Sequence, residues 1–209
     1  MIEVFAHSEA LYVVTEMGRP LFDTLSDKVP LDYVRAVLFQ LLKALRHVHV
    51  RDVAHLDIRV ENILISPSGE LKLSNFSQAM IVNGDDESLQ NVRGGGDFKS
   101  IAPEVAAWFG KETYGYGRPA DVWSVGILFY ILLTGSHPYA SLPPNDELYP
   151  TIEKGEIPLD HLEIPPTALD LLKNMLNPDP LKRITVTQIL NGNPFFFNAQ
   201  MRDNLASAG

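Results

Sequence analysis

His55-Leu56-Asp57-Ile58-Arg59-Val60-Glu61-Asn62, followed by the apolar run Ile63-Leu64-Ile65, is the stretch on which the reading of the whole chain turns. A helical pattern leads into it. Val34, Val37, Leu38, Leu41, Leu42, Leu45 and Val48 recur at helical spacing, which predicts a long helix over 31–50 with one buried face. Ser66-Pro67-Ser68-Gly69 then reads as a turn and 70–73 as a returning strand, ending in Leu73-Ser74-Asn75-Phe76-Ser77. Two loops therefore leave adjacent short strands close together. The first carries a carboxylate, Asp57, that can orient a hydroxyl nucleophile, and five residues on an amide, Asn62, that can hold a metal or phosphate oxygen. The second presents the amide of Asn75 where such a metal site would use a second carboxylate.

Composition narrows the classes. A chain of 209 residues that is 45% hydrophobic can bury one substantial core. Seventeen basic against twenty-six acidic residues give a formal charge of -9, which argues against a general nucleic-acid face. No cysteine is present, so disulfides and thiolate metal sites are excluded. The six histidines show no His-Glu-x-x-His spacing, and no apolar run reaches the length of a membrane span. A cytoplasmic protein without a membrane segment is expected.

At the loop pair the sequence resembles the protein kinase family. His55 to Asn62 is similar to the kinase catalytic loop, Asn75-Phe76-Ser77 to the magnesium-binding Asp-Phe-Gly triplet with both polar ends changed, and Ala102-Pro103-Glu104 to the Ala-Pro-Glu that closes the activation segment. Asp121-Val122-Trp123-Ser124-Val125-Gly126 and Arg183 follow in the family's order. The likeness is strongest to the calcium/calmodulin-dependent group, with Ala54 to Ile58 resembling the giant muscle-kinase and guanine-exchange-factor-associated kinases.

The expected fold is protein kinase-like α+β, restricted to a mainly α-helical C-lobe with a short β-hairpin left from the N-lobe. Ile2 to Ala6 and Leu11 to Thr15 read as that hairpin, and no Gly-rich phosphate loop, strand lysine or helix glutamate precedes it. The expected division is 1–17 for residual strands and hinge, 18–198 for the C-lobe and 199–209 for a flexible tail. Gln78 to Ile101, with Asp85-Asp86-Glu87 and Gly94-Gly95-Gly96, reads as an activation segment without firm secondary structure. Further helices are expected over 147–154, 167–176 and 185–190, the last with Thr185 as N-cap, and Phe195-Phe196-Phe197 are expected to cap the core.

The resemblance assigns roles residue by residue. Asp57 matches the catalytic base, and Arg59 stands where a lysine steadies the transferred phosphoryl group, an exchange that makes its role weak or vestigial. Asn62 matches the second metal ligand, and Asn75 occupies the principal metal position as a degraded ligand. Glu16, Met17 and Gly18 would form the adenine-binding hinge, with Leu64 beneath the base. Leu56 replaces an arginine that pairs with activation-loop phosphate. His55 would be a packed histidine and Phe76 a packing residue. Glu104 and Arg183 would form a buried ion pair, and Asp121 would accept from the catalytic-loop backbone while acting as a helix N-terminal acid. His47 and His49 read as capping or surface histidines.

These departures lead to the expectation of a truncated, pseudokinase-like interaction or scaffolding module without phosphoryl-transfer activity. It would need no cofactor and would bind a protein partner or peptide, which would also cover the N-terminal strands. The alternative is a serine/threonine kinase, or a fragment of one, using ATP and magnesium.

Overall fold

The computed structural model describes residues 2–8, 10–24, 29–82, 88–89, 100–107, 115–140 and 148–197. The chain opens with β1 (Glu3–His7) and β2 (Ala10–Val14), antiparallel with Phe5 opposite Tyr12. Their rings stack with centroids 5.1 Å apart, the cross-strand aromatic pairing that supports a hairpin. Val4, Phe5, Tyr12, Val13 and Val14 are nonetheless exposed.

Beyond the hairpin come β3 (Arg19–Pro20), α1 (Leu31–His49), β4 (Val53–Ala54), β5 (Ile63–Ile65), β6 (Leu71–Leu73) and β7 (Met80–Ile81). The order β3-β5-β6 makes one antiparallel sheet, and β4 pairs with β7. Among the described residues, seven strands in three sheets thus lie between residues 3 and 81, and the expectation of a helical unit with only a residual hairpin is corrected. The physical reason is length. The two-residue strands β3, β4 and β7 are too short to show a period-two alternation, and they are held by pairing with partners distant in sequence. A further pair joins β8 (Ser88–Leu89) and β9 (Gly115–Tyr116).

The helical part comprises α1, α2 (Pro103–Ala106), α3 (Gly117–Thr134), α4 (Leu148–Lys154), α5 (Pro166–Met175) and α6 (Val186–Leu190). The apolar face of α1 buries Val34, Val37, Leu38, Leu41, Leu42 and Leu45. In α3 the apolar residues run nearly all round, so it forms the buried axis, with Trp123, Val125, Ile127 and Phe129 fully enclosed. Among the described residues no helix is long and apolar enough to cross a membrane. A capping box fixes the start of α6: the Gln188 N–H donates to Thr185 Oγ1, and the Thr185 N–H donates to Gln188 Oε1. Phe195 and Phe196 close the core, Phe195 lying 5.1 Å from Phe129, whereas Phe197 is exposed, so two of the three phenylalanines act as the cap. Residues 83–87, 90–99 and 198–209, which include most of the expected activation segment and the tail, lie outside the described residues.

The side chains at the end of α5 and just after it pack directly on Gly126 of α3, where an added Cβ would meet Leu176 Cδ2 at 2.8 Å and Met175 Cβ at 3.2 Å. Gly126→Ala is therefore expected to cost about 1 to 3 kcal/mol through overpacking, offset in part by the better helix propensity of alanine. Chemical denaturation measures it, and a stabilised variant would contradict the contact.

Tyr139 follows α3, and its phenol is buried with no hydrogen-bond partner among the described residues. Burial disfavours the phenolate and pushes the group from 10.0 up to about 12. Because the unfolded chain releases this proton first, stability is expected to fall as pH rises from 10.0 toward about 12. Tyr139→Phe should lack that component and be slightly more stable at neutral pH, by about 1 kcal/mol. Thermal melts across the alkaline range test both points, and an unchanged alkaline slope in the variant would refute them.

Candidate active site

The end of α1 delivers the chain through β4 into the loop 55–62, and that loop is built around Asp121. This carboxylate is buried, and it accepts from the His55 N–H at 2.8 Å, the Leu56 N–H at 2.7 Å and His49 Nε2 at 2.9 Å. α3 begins at Gly117, four residues before Asp121, so the carboxylate lies inside the helix and serves the loop instead of its own helix terminus. Leu56 has φ +61°, a left-handed conformation costing a non-glycine residue about 1 to 2 kcal/mol, and the Asp121 acceptor helps hold it there. His49 is correspondingly buried and paired, which corrects its reading as a surface or capping residue; His47 is exposed. The helical period does place His49 near the apolar stripe, but its partner lies 72 residues away in sequence.

His55, fully buried, links the two loops. It accepts at Nδ1 from the Asp57 N–H at 3.3 Å and donates from Nε2 to the Ser74 carbonyl at 2.9 Å. The Phe76 ring meets it edge-on at 4.7 Å. Ser74, which sequence reasoning did not single out, adds a second tie: its N–H and Oγ both donate to the Asn62 carbonyl, at 2.9 and 2.8 Å. Its signal was position, one residue before Asn75.

These ties bring Asp57, Asn62 and Asn75 into one corner. Asn62 Nδ2 donates to the Asp57 carbonyl at 2.8 Å and to Asp57 Oδ2 at 2.7 Å. Asn75 Nδ2 donates to Asp57 Oδ2 and to Asn62 Oδ1, each at 3.2 Å, while Ser77 Oγ donates to Asn75 Oδ1 at 2.7 Å. Asn75 has φ +61°, which an asparagine tolerates and which turns its side chain back toward the first loop. Arg59, two residues after Asp57, has Nε 3.3 Å from Glu61 Oε2, a partly exposed ion-pair contact.

A magnesium–nucleotide complex can be tested against these donors. Among the described residues no cluster of three His, Cys, Asp or Glu side chains exists, so amide oxygens must contribute. Magnesium takes oxygen ligands and is commonly bound through one or two carboxylates plus substrate phosphates and water. Asn62 and Asn75 each bear an amide oxygen beside Asp57, Asn75 Oδ1 accepting from Ser77 Oγ, and nucleotide phosphates and water would complete the ligand set. The donor set fits.

Just before β3 pairs with β5, Gly18 lies against Leu64, where an added Cβ would meet Leu64 Cβ at 2.8 Å. Only glycine permits that approach. Met17 is exposed, and Glu16 Oε2 lies 3.4 Å from Lys72 Nζ, which also contacts Glu70 Oε2 at 3.1 Å. The hydrogen bonds to Glu70 and then Glu16 raise the Lys72 ammonium above its ordinary pKa. Below the corner, Arg183 is buried and donates from Nη1 and Nη2 to Glu104 Oε1 and Oε2, at 2.6 and 2.9 Å.

Comparison with known proteins matches residues 1–196 to the protein kinase domain model. The chain is 33% identical over 210 residues to serine/threonine-protein kinase cds1 of Schizosaccharomyces pombe, covering 97% of this chain and 45% of that protein. It is 35% identical over 207 residues to probable serine/threonine-protein kinase fhkC of Dictyostelium discoideum, covering 94% of this chain and 33% of the relative. A further 35% identity over 199 residues links it to serine/threonine-protein kinase CHK1 of Saccharomyces cerevisiae, covering 89% of this chain and 36% of the relative. The chain belongs to the protein kinase domain family. It spans less than half the length of these curated relatives.

The match from residue 1 corrects the restriction of the likeness to a C-lobe, since the strands of residues 3–14 fall inside the matched domain. It also corrects the expectation of an inactive scaffold using neither ATP nor magnesium. Relatives aligned across nearly the whole chain are serine/threonine kinases by name, and the catalytic-loop contacts around Asp57 are complete. The inactive reading rested on the missing phosphate-loop, lysine and glutamate signals and on Asn75 as a weakened ligand. Tertiary contact with Asp57 and Asn62 keeps an oxygen-bearing side chain at that corner.

Proposed function

We propose that this chain is a serine/threonine kinase domain that transfers the γ-phosphoryl group of ATP to a hydroxyl of a protein substrate. The observation that carries the reading is the single hydrogen-bonded corner made by Asp57, Asn62 and Asn75. Asp57 is the base: its carboxylate, fixed by Asn62, orients the substrate hydroxyl and takes its proton as the oxygen–phosphorus bond forms and the bond to ADP breaks. Asn62 and Asn75 would hold magnesium, which when bound with the nucleotide neutralises charge on its phosphates. Arg59 supplies a positive charge beside the transferred group. Adenine would lie beside residues 16–18 and Leu64, at a boundary between residues 1–17 and 18–198. A peptide or protein segment carrying serine or threonine is the partner this chemistry requires.

The test is incubation of the purified chain with ATP and magnesium on a serine/threonine peptide array, with phosphopeptides identified by mass spectrometry. Serine or threonine phosphorylation dependent on Asp57 is the expected result. No phosphopeptide at millimolar ATP would overturn the reading.

A further inference from the structure

The hairpin of β1 and β2 has an edge that is complementary to itself. All five residues of β1 are exposed, and among the described residues β1 pairs only with β2, so its outer edge has no strand beside it. Proteins guard such edges with lysine, proline or a bulge. Glu3-Val4-Phe5-Ala6-His7 carries no lysine or proline, and its register against β2 runs unbroken from Glu3 opposite Val14 to His7 opposite Ala10. Large apolar side chains are exposed on both faces of the hairpin, Phe5 with Tyr12 on one and Val4 with Val13 on the other. A two-stranded ribbon of this kind is marginal by itself, whereas three or more strands are not.

We propose that β1 pairs antiparallel with β1 of a second copy of this chain about a two-fold axis at Phe5, which joins the two hairpins into one four-stranded sheet. Charge selects the register. With Phe5 facing Phe5 of the second copy, Glu3 falls opposite His7 and Val4 opposite Ala6, so each end of the pairing sets a carboxylate against an imidazole. An imidazole donates to a carboxylate in either protonation state. Sliding the strands by two residues one way sets Glu3 against Phe5, and the other way sets Phe5 against His7 and leaves Glu3 beyond the opposing strand. Either shift loses both charge pairs.

The aromatic rings favour the same arrangement. Phe5 and Tyr12 already stack with centroids 5.1 Å apart, and residues directly opposite across an antiparallel pair share a face, so the two-fold extends this stack into a ladder of four rings. The other strand, β2, contains no charged residue from Ala10 to Val14, and pairing along its outer edge would fix no register in this way. A single strand pair is a small interface, so the dimer is a weak one. It does not depend on the kinase reading.

Sedimentation of the full chain at increasing concentration tests the proposal. A reversible monomer–dimer equilibrium is expected with a Kd of about 10 to 100 µM. His7→Glu sets like charges against each other twice across the axis and should weaken association about tenfold. Glu3→His should weaken it about threefold, and the exchange of both, Glu3→His with His7→Glu, should return it to within about twofold of the parent. Because the chain has no cysteine, one introduced thiol reports its neighbour without ambiguity. Phe5→Cys lies opposite itself and should give a disulfide-linked dimer under mild oxidation, whereas Tyr12→Cys on β2 should not. All these positions are exposed, and circular dichroism checks that each variant keeps the parental fold. A chain that stays monomeric at about 500 µM would overturn the proposal. So would a dimer indifferent to His7→Glu, or a double exchange that fails to restore association. Preferential cross-linking through Tyr12→Cys would move the contact to the edge of β2 and overturn it as well.

Discussion

Replacing Glu104 by alanine is expected to destabilise the fold by about 3 to 5 kcal/mol, because it leaves the Arg183 guanidinium buried and uncompensated. Every donor of that guanidinium is engaged. Nη1 and Nη2 reach Glu104, Nη1 also reaches the Pro119 carbonyl at 2.8 Å, Nε reaches the Asn177 carbonyl at 2.9 Å, and Nη2 faces the Pro178 carbonyl at 3.5 Å. The group also lies 5.1 Å over the Trp123 ring. This one side chain therefore joins α2, the start of α3 and the loop before α6. Urea unfolding monitored by tryptophan fluorescence measures the loss. The double variant Glu104→Leu with Arg183→Leu removes both charges and should be less destabilised than Glu104→Ala alone, since much of the single-variant cost is the stranded cation. A loss below about 1 kcal/mol for Glu104→Ala would put the pair in the class of solvent-screened bridges.

Asp57→Asn is expected to lower kcat by about a hundred- to ten-thousandfold while leaving the fold intact. Asparagine is nearly isosteric and can turn its oxygen toward Asn62 Nδ2, so the hydrogen-bonded corner survives. It has no base to take the substrate proton. Stopped-time phosphorylation assays together with circular dichroism separate the two properties. A kcat within about threefold of the parent would remove Asp57 from the base role, and an unfolded variant would show that the residue is structural instead.

Much of the helical part was legible in the sequence for a plain reason. α1 repeats its apolar residues every three or four positions, α3 is apolar nearly all round, and Thr185 with Gln188 spells out a cap. Such signals are local. The strands at 63–65 and 71–73 were read in the sequence, but the two-residue strands were not. Arg19–Pro20 and Val53–Ala54 carry no alternation, and each becomes a strand only because Ile65 and Leu64, or Ile81 and Met80, lie alongside. His49 shows the same limit. A histidine near a helix end has the look of a capping residue until the fold sets Asp121 against it.

The sequence by itself determined the order of chemistry-bearing residues, Asp57 before Asn62 before Asn75, and the helices that frame them, because loop spacing and helical periodicity are written into neighbouring positions. Only the tertiary structure decided what Asn75 does. From the sequence it is an amide where a carboxylate would sit, and that reading led toward an inactive module. Folding turns its Nδ2 onto Asp57 and Asn62, and Ser77 Oγ donates to its Oδ1. Hydrogen-bond direction depends on which atoms meet across sequence separations of 13 and 18, and composition or spacing carries no record of that.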